Sequence, residues 1–216
     1  MINMKTFSSF LICFLLFTSC NEAQNRKVVI PQANKTPVPN EAVATFAEGC
    51  FWHSEIVFQS LIGVRDAVSG YSGGTGPAPD YENVTTGRTG HAESVQVYYD
   101  PAKISFETLV KAYFASMDPT SLNRQGNDEG TQYRSIAFYR NEAEKQVIIN
   151  EINRLTQQKK NNRKIVTEVK PLVKFYPAEV YHQEYIYNHP DESYVRNVSI
   201  PDYQRFRQSF DSRYFK

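Results

Sequence analysis

Three kinds of residue in this chain could do chemistry together: a thiol, a carboxylic acid and a large supply of phenols. The sequence holds three cysteines, Cys13, Cys20 and Cys50. Cys13 lies inside an apolar leader and Cys20 at its end, so Cys50 is the one free thiol expected in the mature domain, and no intramolecular disulfide can form there. A lone thiol in an exported domain invites oxidation unless its reactivity is wanted. Gly49-Cys50 interrupts an apolar stretch, Val43 to Ala47, and helical spacing follows from Phe51 to Leu61. Cys50 is therefore expected at a strand-to-helix turn, where peptide dipoles and unpaired N–H groups favour a thiolate. An inert core cysteine has the same residue type. Its place beside Gly49, and the lack of a second thiol, tilt the reading toward a nucleophile.

The candidate acid is Glu93, in His91-Ala92-Glu93 after Gly87-Arg88-Thr89-Gly90. Burial would hold its proton near neutrality; a solvent-facing carboxylate at a strand end is the better reading of the residues alone. His-x-Glu is also found in zinc deaminases, but the Pro-Cys-x-x-Cys segment they need is missing. His53, His182 and His189 are dispersed, so no metal is expected. Gly73-Gly74-Thr75-Gly76 lacks the spacing of a phosphate or dinucleotide loop. His53 reads as exposed on the first helical turn rather than as a tuner of the thiolate. Gly126 to Ser135 reads as a polar surface loop leading into a strand.

There are 14 Tyr, 14 Phe and one Trp. Each buried phenol needs a hydrogen-bond partner, so some of the tyrosines are expected to line a polar pocket. With 24 basic and 23 acidic residues the net charge is +1, which carries no footprint for nucleic acid or an anionic membrane.

The elements that must position these groups follow from periodicity. Strands are expected over Val43 to Ala47, Val64 to Ser69, Glu93 to Tyr99, Ser135 to Tyr139, Val166 to Val169 and Leu172 to Phe175. Helices are expected from Phe51, from the cap Ser105, from Asn141 with Glu144 as a capping box, over Ala178 to Tyr187 and over Tyr203 to Phe210. The order β-α-β-β-α-β with added elements predicts an α+β fold with a ferredoxin-like split βαβ core: a mixed sheet carrying helices, plus extra C-terminal helix and strand elements.

Ahead of that domain, Lys5 precedes an apolar run from Phe7 to Phe17, too short to span a bilayer comfortably, which reads as a signal peptide over residues 1–20. Phe17-Thr18-Ser19-Cys20 resembles a lipobox, with Cys20 as the lipidation site; a plain secretory signal with a chance cysteine is the alternative. Residues 21–40, polar and carrying Pro31, Pro37 and Pro39, read as a flexible linker, and 41–216 as the catalytic domain. The protein is expected in the cell envelope, membrane-attached only through a lipid anchor.

Four runs then stand out together: Gly49-Cys50-Phe51-Trp52, Gly70-Tyr71-Ser72-Gly73-Gly74, Gly90-His91-Ala92-Glu93, and Gly126-Asn127-Asp128 with Gly130-Thr131-Gln132-Tyr133-Arg134-Ser135. In order and spacing they resemble the type A peptide methionine sulfoxide reductases. Phe175-Tyr176-Pro177-Ala178-Glu179 and Tyr181-His182-Gln183 extend the resemblance to most of Val43 to Ile200. The resemblance implies thiol-dependent reduction of methionine S-sulfoxide, free or in proteins, with Cys50 as nucleophile and Glu93 as acid. It implies that Tyr81 and Tyr133 hold the sulfoxide oxygen, that Phe51 and Trp52 receive the S-methyl group, that Asp128 organises the site, and that His182 and Tyr185 stand behind it. The product on the enzyme would be Cys50 sulfenic acid. Many relatives carry a resolving cysteine, and this mature domain has none. Recycling is thus expected from an external thiol, a thioredoxin-like partner or a small molecule, with no bound cofactor and a monomeric enzyme. Two other classes use some of the same residues: a different thiol enzyme, such as a peroxidase or Cys-His hydrolase, and a non-catalytic peptide-binding lipoprotein. Neither accounts for Glu93, Tyr81 and Tyr133 arriving in register.

Overall fold

The computed structural model describes residues 30, 32–34, 36–76, 78–158 and 163–216. The leader, the expected lipidation site Cys20 and most of the expected linker lie outside the described residues. The described part of that linker touches the domain: the Ala33 N–H donates to Glu184 Oε1 at 3.1 Å and the Asn34 N–H to the Arg65 carbonyl at 2.9 Å.

Among the described residues eight strands and six helices follow in order. They are β1 (Ala42–Glu48), α1 (Phe51–Gln59), β2 (Val64–Ser72), α2 (Tyr81–Thr85), β3 (Ala92–Tyr99) and α3 (Phe106–Ser116). A two-stranded hairpin, β4 (Arg124–Gln125) and β5 (Asp128–Glu129), leads to β6 (Ser135–Tyr139) and α4 (Glu142–Gln157). The chain ends with β7 (Glu168–Pro171), β8 (Phe175–Pro177), α5 (Tyr185–Asn188) and α6 (Ile200–Ser209). Six strands form one sheet in the order β7-β6-β1-β3-β2-β8. The central four are antiparallel neighbours, and β3 lies in the slot between β1 and β2 left by the α1 crossover. That is the split βαβ arrangement expected from the sequence. The parallel edge strand β7 makes the sheet mixed, and β8 closes the other edge against β2.

One face of the sheet is covered by helices, and Phe46 of β1 anchors that layer. Its ring stacks on Phe58 of α1 at 5.2 Å and on Tyr113 of α3 at 5.0 Å, so one side chain ties the first strand to both crossovers. A fully buried aromatic of this kind contributes about 1.5–3 kcal/mol of transfer free energy. Ala47, pointing the other way, joins Ala92, Ile136 and Phe138 in a smaller cluster on the opposite face. Successive residues of β1 thus feed two cores, which explains its near-continuous burial.

The local start signals hold where the sequence had them. Ser105 Oγ accepts from the Thr108 N–H at 3.1 Å, and Asn141 Oδ1 from the Glu144 N–H at 2.9 Å. Glu144 reaches back to the Arg140 N–H at 2.7 Å, one residue before the expected box partner. Differences lie at the C-terminal half. In place of a helix over Ala178 to Tyr187 there is a 3-10 turn (Val180–His182), Glu184 in the left-handed region at φ 52° and a single helical turn, α5. The last helix begins earlier, at Ile200, continuing a π-helical turn, Val195–Ser199.

Candidate active site

The turn between β1 and α1 is built around Gly49, whose φ of +100° disfavours any side chain; a Cβ there would meet the Gln125 side chain at 2.7 Å. Cys50 follows as the N-cap of α1, its carbonyl accepting from the His53 and Ser54 N–H groups. Glu93 comes to the same spot from β3, where it lies opposite Tyr71 of β2. It is 2% exposed, and its Oε2 accepts the Phe51 N–H at 3.0 Å. One carboxyl oxygen is thereby tied to the first turn of the helix that Cys50 caps.

Two more elements bring phenols. Tyr81 opens α2, which is capped by Asp80 Oδ1 accepting from the Asn83 N–H at 2.8 Å. The Tyr81 N–H donates to Glu179 Oε1 at 2.9 Å, and Tyr71 Oη donates to Glu179 Oε2 at 2.8 Å, so one carboxylate fixes α2 against β2. Tyr133 ends the 3-10 turn Thr131–Tyr133. Arg134 clamps that turn by donating to the carbonyls of Thr131 and Gly90 at 2.9 and 2.8 Å and to Glu168 Oε1 at 2.9 Å. The segment expected as a bland surface loop is thus bound to the entry of β3. Tyr81 and Tyr133 both lie within electrostatic reach of Glu93, Cys50 and Asp128.

The apolar wall is built from packed rings. Phe51 is buried with its ring 4.8 Å from that of His182. Trp52 donates from Nε1 to His182 Nδ1 at 3.1 Å, and its ring stacks on Tyr185 at 3.7 Å and 5°. His182 therefore carries its own proton on Nε2. Asp128 of the hairpin accepts from Tyr194 Oη at 2.5 Å. All nine residues expected at the site meet here. Tyr194 was not among them: besides bonding Asp128, its hydroxyl lies within hydrogen-bonding reach of Cys50. No local pattern marks it in the sequence, since it is one tyrosine of 14 in a polar stretch.

Protonation follows from burial. Burial pushes Glu93 up to about 8, Asp128 adding to the effect while the Phe51 N–H opposes it. A buried acid of this kind is protonated near neutrality. Burial also pushes the Cys50 thiol up, reinforced by the Glu93 and Asp128 carboxyls. The Trp52 and His53 N–H groups pull it down, so the helix N-terminus acts as expected but is outweighed. The resting pair is a thiol beside a carboxylic acid, not the thiolate the sequence suggested. Burial raises Tyr81 and Tyr133 as well, keeping both as hydroxyl donors. His53, expected exposed, is partly buried with Nδ1 enclosed, and burial pushes it down to about 4. Among the described residues no group of His, Cys, Asp and Glu could hold a metal ion. A carboxylic acid and two phenol donors gathered about a thiol can protonate and hydrogen-bond an oxygen while sulfur attacks the atom that bears it.

The comparisons with known proteins agree on one family. The profile of the peptide methionine sulfoxide reductases matches residues 42–214. A peptide methionine sulfoxide reductase MsrA of Picrophilus torridus is 48% identical over 170 residues, 79% of this chain and 96% of the relative. One from Deinococcus radiodurans is 46% identical over 170 residues, covering 79% and 82%. Among solved structures, methionine sulfoxide reductase A of Corynebacterium diphtheriae superposes with a TM-score of 0.65 at 33% identity, over 74% of this chain and 82% of that one. Reduced Mxr1 of Saccharomyces cerevisiae does so with a TM-score of 0.67 at 32% identity, over 74% and 93%. With a buried acid from β3 and two phenols from other elements drawn to the turn that bears the thiol, and relatives matching nearly the whole domain, the chain belongs to the peptide methionine sulfoxide reductase family and reduces methionine sulfoxide.

Proposed function

We propose that Cys50 is the residue oxidised in turnover and Glu93 its acid, acting on the S-epimer of methionine sulfoxide. The observation that carries this is the Phe51 N–H to Glu93 bond of 3.0 Å, which holds a protonated carboxyl against the turn bearing the thiol. The substrate's methyl group lies against Phe51 and Trp52, and its oxygen accepts from Glu93, Tyr81 and Tyr133. Hydrogen bonding makes the sulfoxide sulfur electrophilic; Sγ attacks, and the oxygen passes from the substrate to Cys50. Glu93 gives its proton to that oxygen and regains one from the thiol. Thiol plus sulfoxide becomes sulfenic acid plus thioether, with atoms and protons balanced. His182 and Tyr185 keep the Trp52 ring in place, and Asp128, through Tyr194, orders the hairpin side.

The reading includes an external thiol reductant, thioredoxin-like or small, because Cys50 is the one cysteine among the described residues. It also includes export and a lipid tether at Cys20, resting on the leader and its terminal Phe17-Thr18-Ser19-Cys20, and a monomeric enzyme acting on oxidised proteins or free methionine sulfoxide. The test is reduction of racemic dabsyl-methionine sulfoxide with dithiothreitol, the epimers being resolved by chromatography. Loss of the S-epimer alone, abolished in Cys50→Ser, is expected. Turnover that survives Cys50→Ser would overturn the assignment, as would consumption of the R-epimer.

A further inference from the structure

Ahead of the 42–214 region shared with the family, the chain makes a further set of contacts. Ile30, Ala33 and Asn34 seat on α1, the start of β2 and the start of α5. The Asn34 N–H donates to the Arg65 carbonyl at 2.9 Å, and Arg65 Nη1 donates back to the Asn34 carbonyl at 3.2 Å. Arg65 is itself fixed by Glu41, whose two carboxyl oxygens accept from Nε and Nη2 at 2.5 and 2.9 Å. One residue earlier, the Ala33 N–H donates to Glu184 Oε1 at 3.1 Å. Ile30 is half-buried, packs against the main core and borders one small crevice with Trp52, Ile56 and Tyr185.

Glu184 is where these contacts meet the site. It lies in the left-handed region at φ 52°, a conformation uncommon for a residue with a Cβ and kept only where neighbours enforce it. Two neighbours do so here. Glu55 Oε1 of α1 accepts the Glu184 N–H at 2.6 Å, and Ala33 engages the Glu184 side chain. Tyr185 follows directly, and its ring lies flat on Trp52. Trp52 and Glu55, three residues apart, share one face of α1. The indole therefore stands between the helix that carries it and a ring whose backbone is aimed by Glu184. We propose that Ile30, Ala33 and Asn34 form a strap that positions the substrate wall: Ala33 fixes the turn at Glu184, and with it the Tyr185 ring on which Trp52 rests, while Ile30 closes the crevice beside that stack. The proposal rests on the reading that Trp52 receives the methyl group of the sulfoxide. Side chains that contact substrate hold their geometry only when the groups behind them are locked by packing and hydrogen bonds. Among the described residues none of the strap's hydrogen bonds goes to Cys50 or Glu93. Loosening it weakens the hold on substrate and spares the chemical step.

The test is a single turnover by the full chain without reductant, so that recycling does not enter. Methionine formation is followed over a series of methionine S-sulfoxide concentrations, which gives a half-saturating concentration and a maximal rate. Trp52 is the one tryptophan of the chain, so its emission and its quenching by acrylamide report on the wall itself. Ala33→Pro removes the N–H that Glu184 accepts, and Ile30→Asp sets a carboxylate against the crevice; either serves if the other does not fold. Each should raise the half-saturating concentration about threefold, the equivalent of one lost hydrogen bond, with the maximal rate unchanged and acrylamide quenching increased. Glu184→Gln, which keeps an acceptor for the Ala33 N–H, should lie closer to the wild type than Glu184→Ala. A lower melting temperature with half-saturation and quenching both at wild-type values would reduce the strap to a stabilising contact and overturn the proposal. A fall in maximal rate alone would overturn it too. Trp52→Leu separates the strap from the reading beneath it. If that variant saturates like the wild type, Trp52 is not the wall and both fall. If it saturates only at higher concentration while Ala33→Pro and Ile30→Asp do not, the strap alone falls.

Discussion

A carboxamide at position 93 would still accept the Phe51 N–H but would have no proton for a substrate oxygen. Glu93→Gln is therefore expected to lower kcat/KM for the S-sulfoxide about 10²–10⁴-fold, with melting temperature near that of the wild type; a decrease under threefold would remove Glu93 from the acid role. The sequence marked this residue as a candidate, but whether it was a surface carboxylate or a buried acid depended on β2 and α1 closing over it. Cys50 shows the same division. Its place at a helix start was legible from Gly49 and the spacing after it, whereas the balance between helix N–H groups and burial was not, because two of the opposing charges come from β3 and the β4-β5 hairpin. Tyr194 was invisible because its importance lies wholly in two partners distant in sequence, Asp128 and Cys50.

Elements with their own start signals were readable, and they can be perturbed without touching chemistry. Asn141→Ala removes the acceptor for the Glu144 N–H and should cost about 1 kcal/mol, a fall of about 2–4 °C in Tm for a chain of this size. Turnover should be unchanged, because α4 starts at the far end of β6 from Ser135, the residue paired with Glu48. A thermal scan beside an epimer-resolved assay checks both, and a loss of rate would mean that α4 bears on the site. Gln183 is the contrasting case. It accepts from the Ser69 N–H at 3.0 Å and donates to the Ser69 carbonyl at 3.0 Å, acting as one rung of a strand beside β2. Helical spacing suggested Ala178 to Tyr187 as a helix, but these side-chain bonds, and Glu55 Oε1 accepting the Glu184 N–H at 2.6 Å, hold the segment open. Helix α2 escaped notice for a different reason: at five residues it is too short to show a period.

Across the whole molecule, three buried acids share one consequence. Burial raises Glu48 to about 8, Glu55 to about 7 and Glu93 to about 8, from an ordinary value of 4.5. A group whose folded pKa lies above its unfolded one contributes stability that is full below the unfolded value and is lost as pH rises through the folded value. His53, lowered from 6.5 to about 4 by burial, works in the opposite sense: its contribution is present above 6.5 and lost as pH falls toward 4. Between about pH 6.5 and 8 the acids act without that opposition, so Tm should fall across this window. Glu55→Gln should flatten the slope, and a Tm that rises from pH 6.5 to 8 would contradict the burial of these carboxyls. What the sequence determined by itself was whatever is encoded locally: the strand and helix periods, the caps, the turn glycine before Cys50, and motif runs specific enough to indicate the family. What the tertiary structure alone decided was environment. Protonation, the enclosure of His53 and the recruitment of Tyr194 depend on which distant elements exclude water from a given atom, and that exclusion exists only once the sheet, the crossovers and the C-terminal helix have packed together.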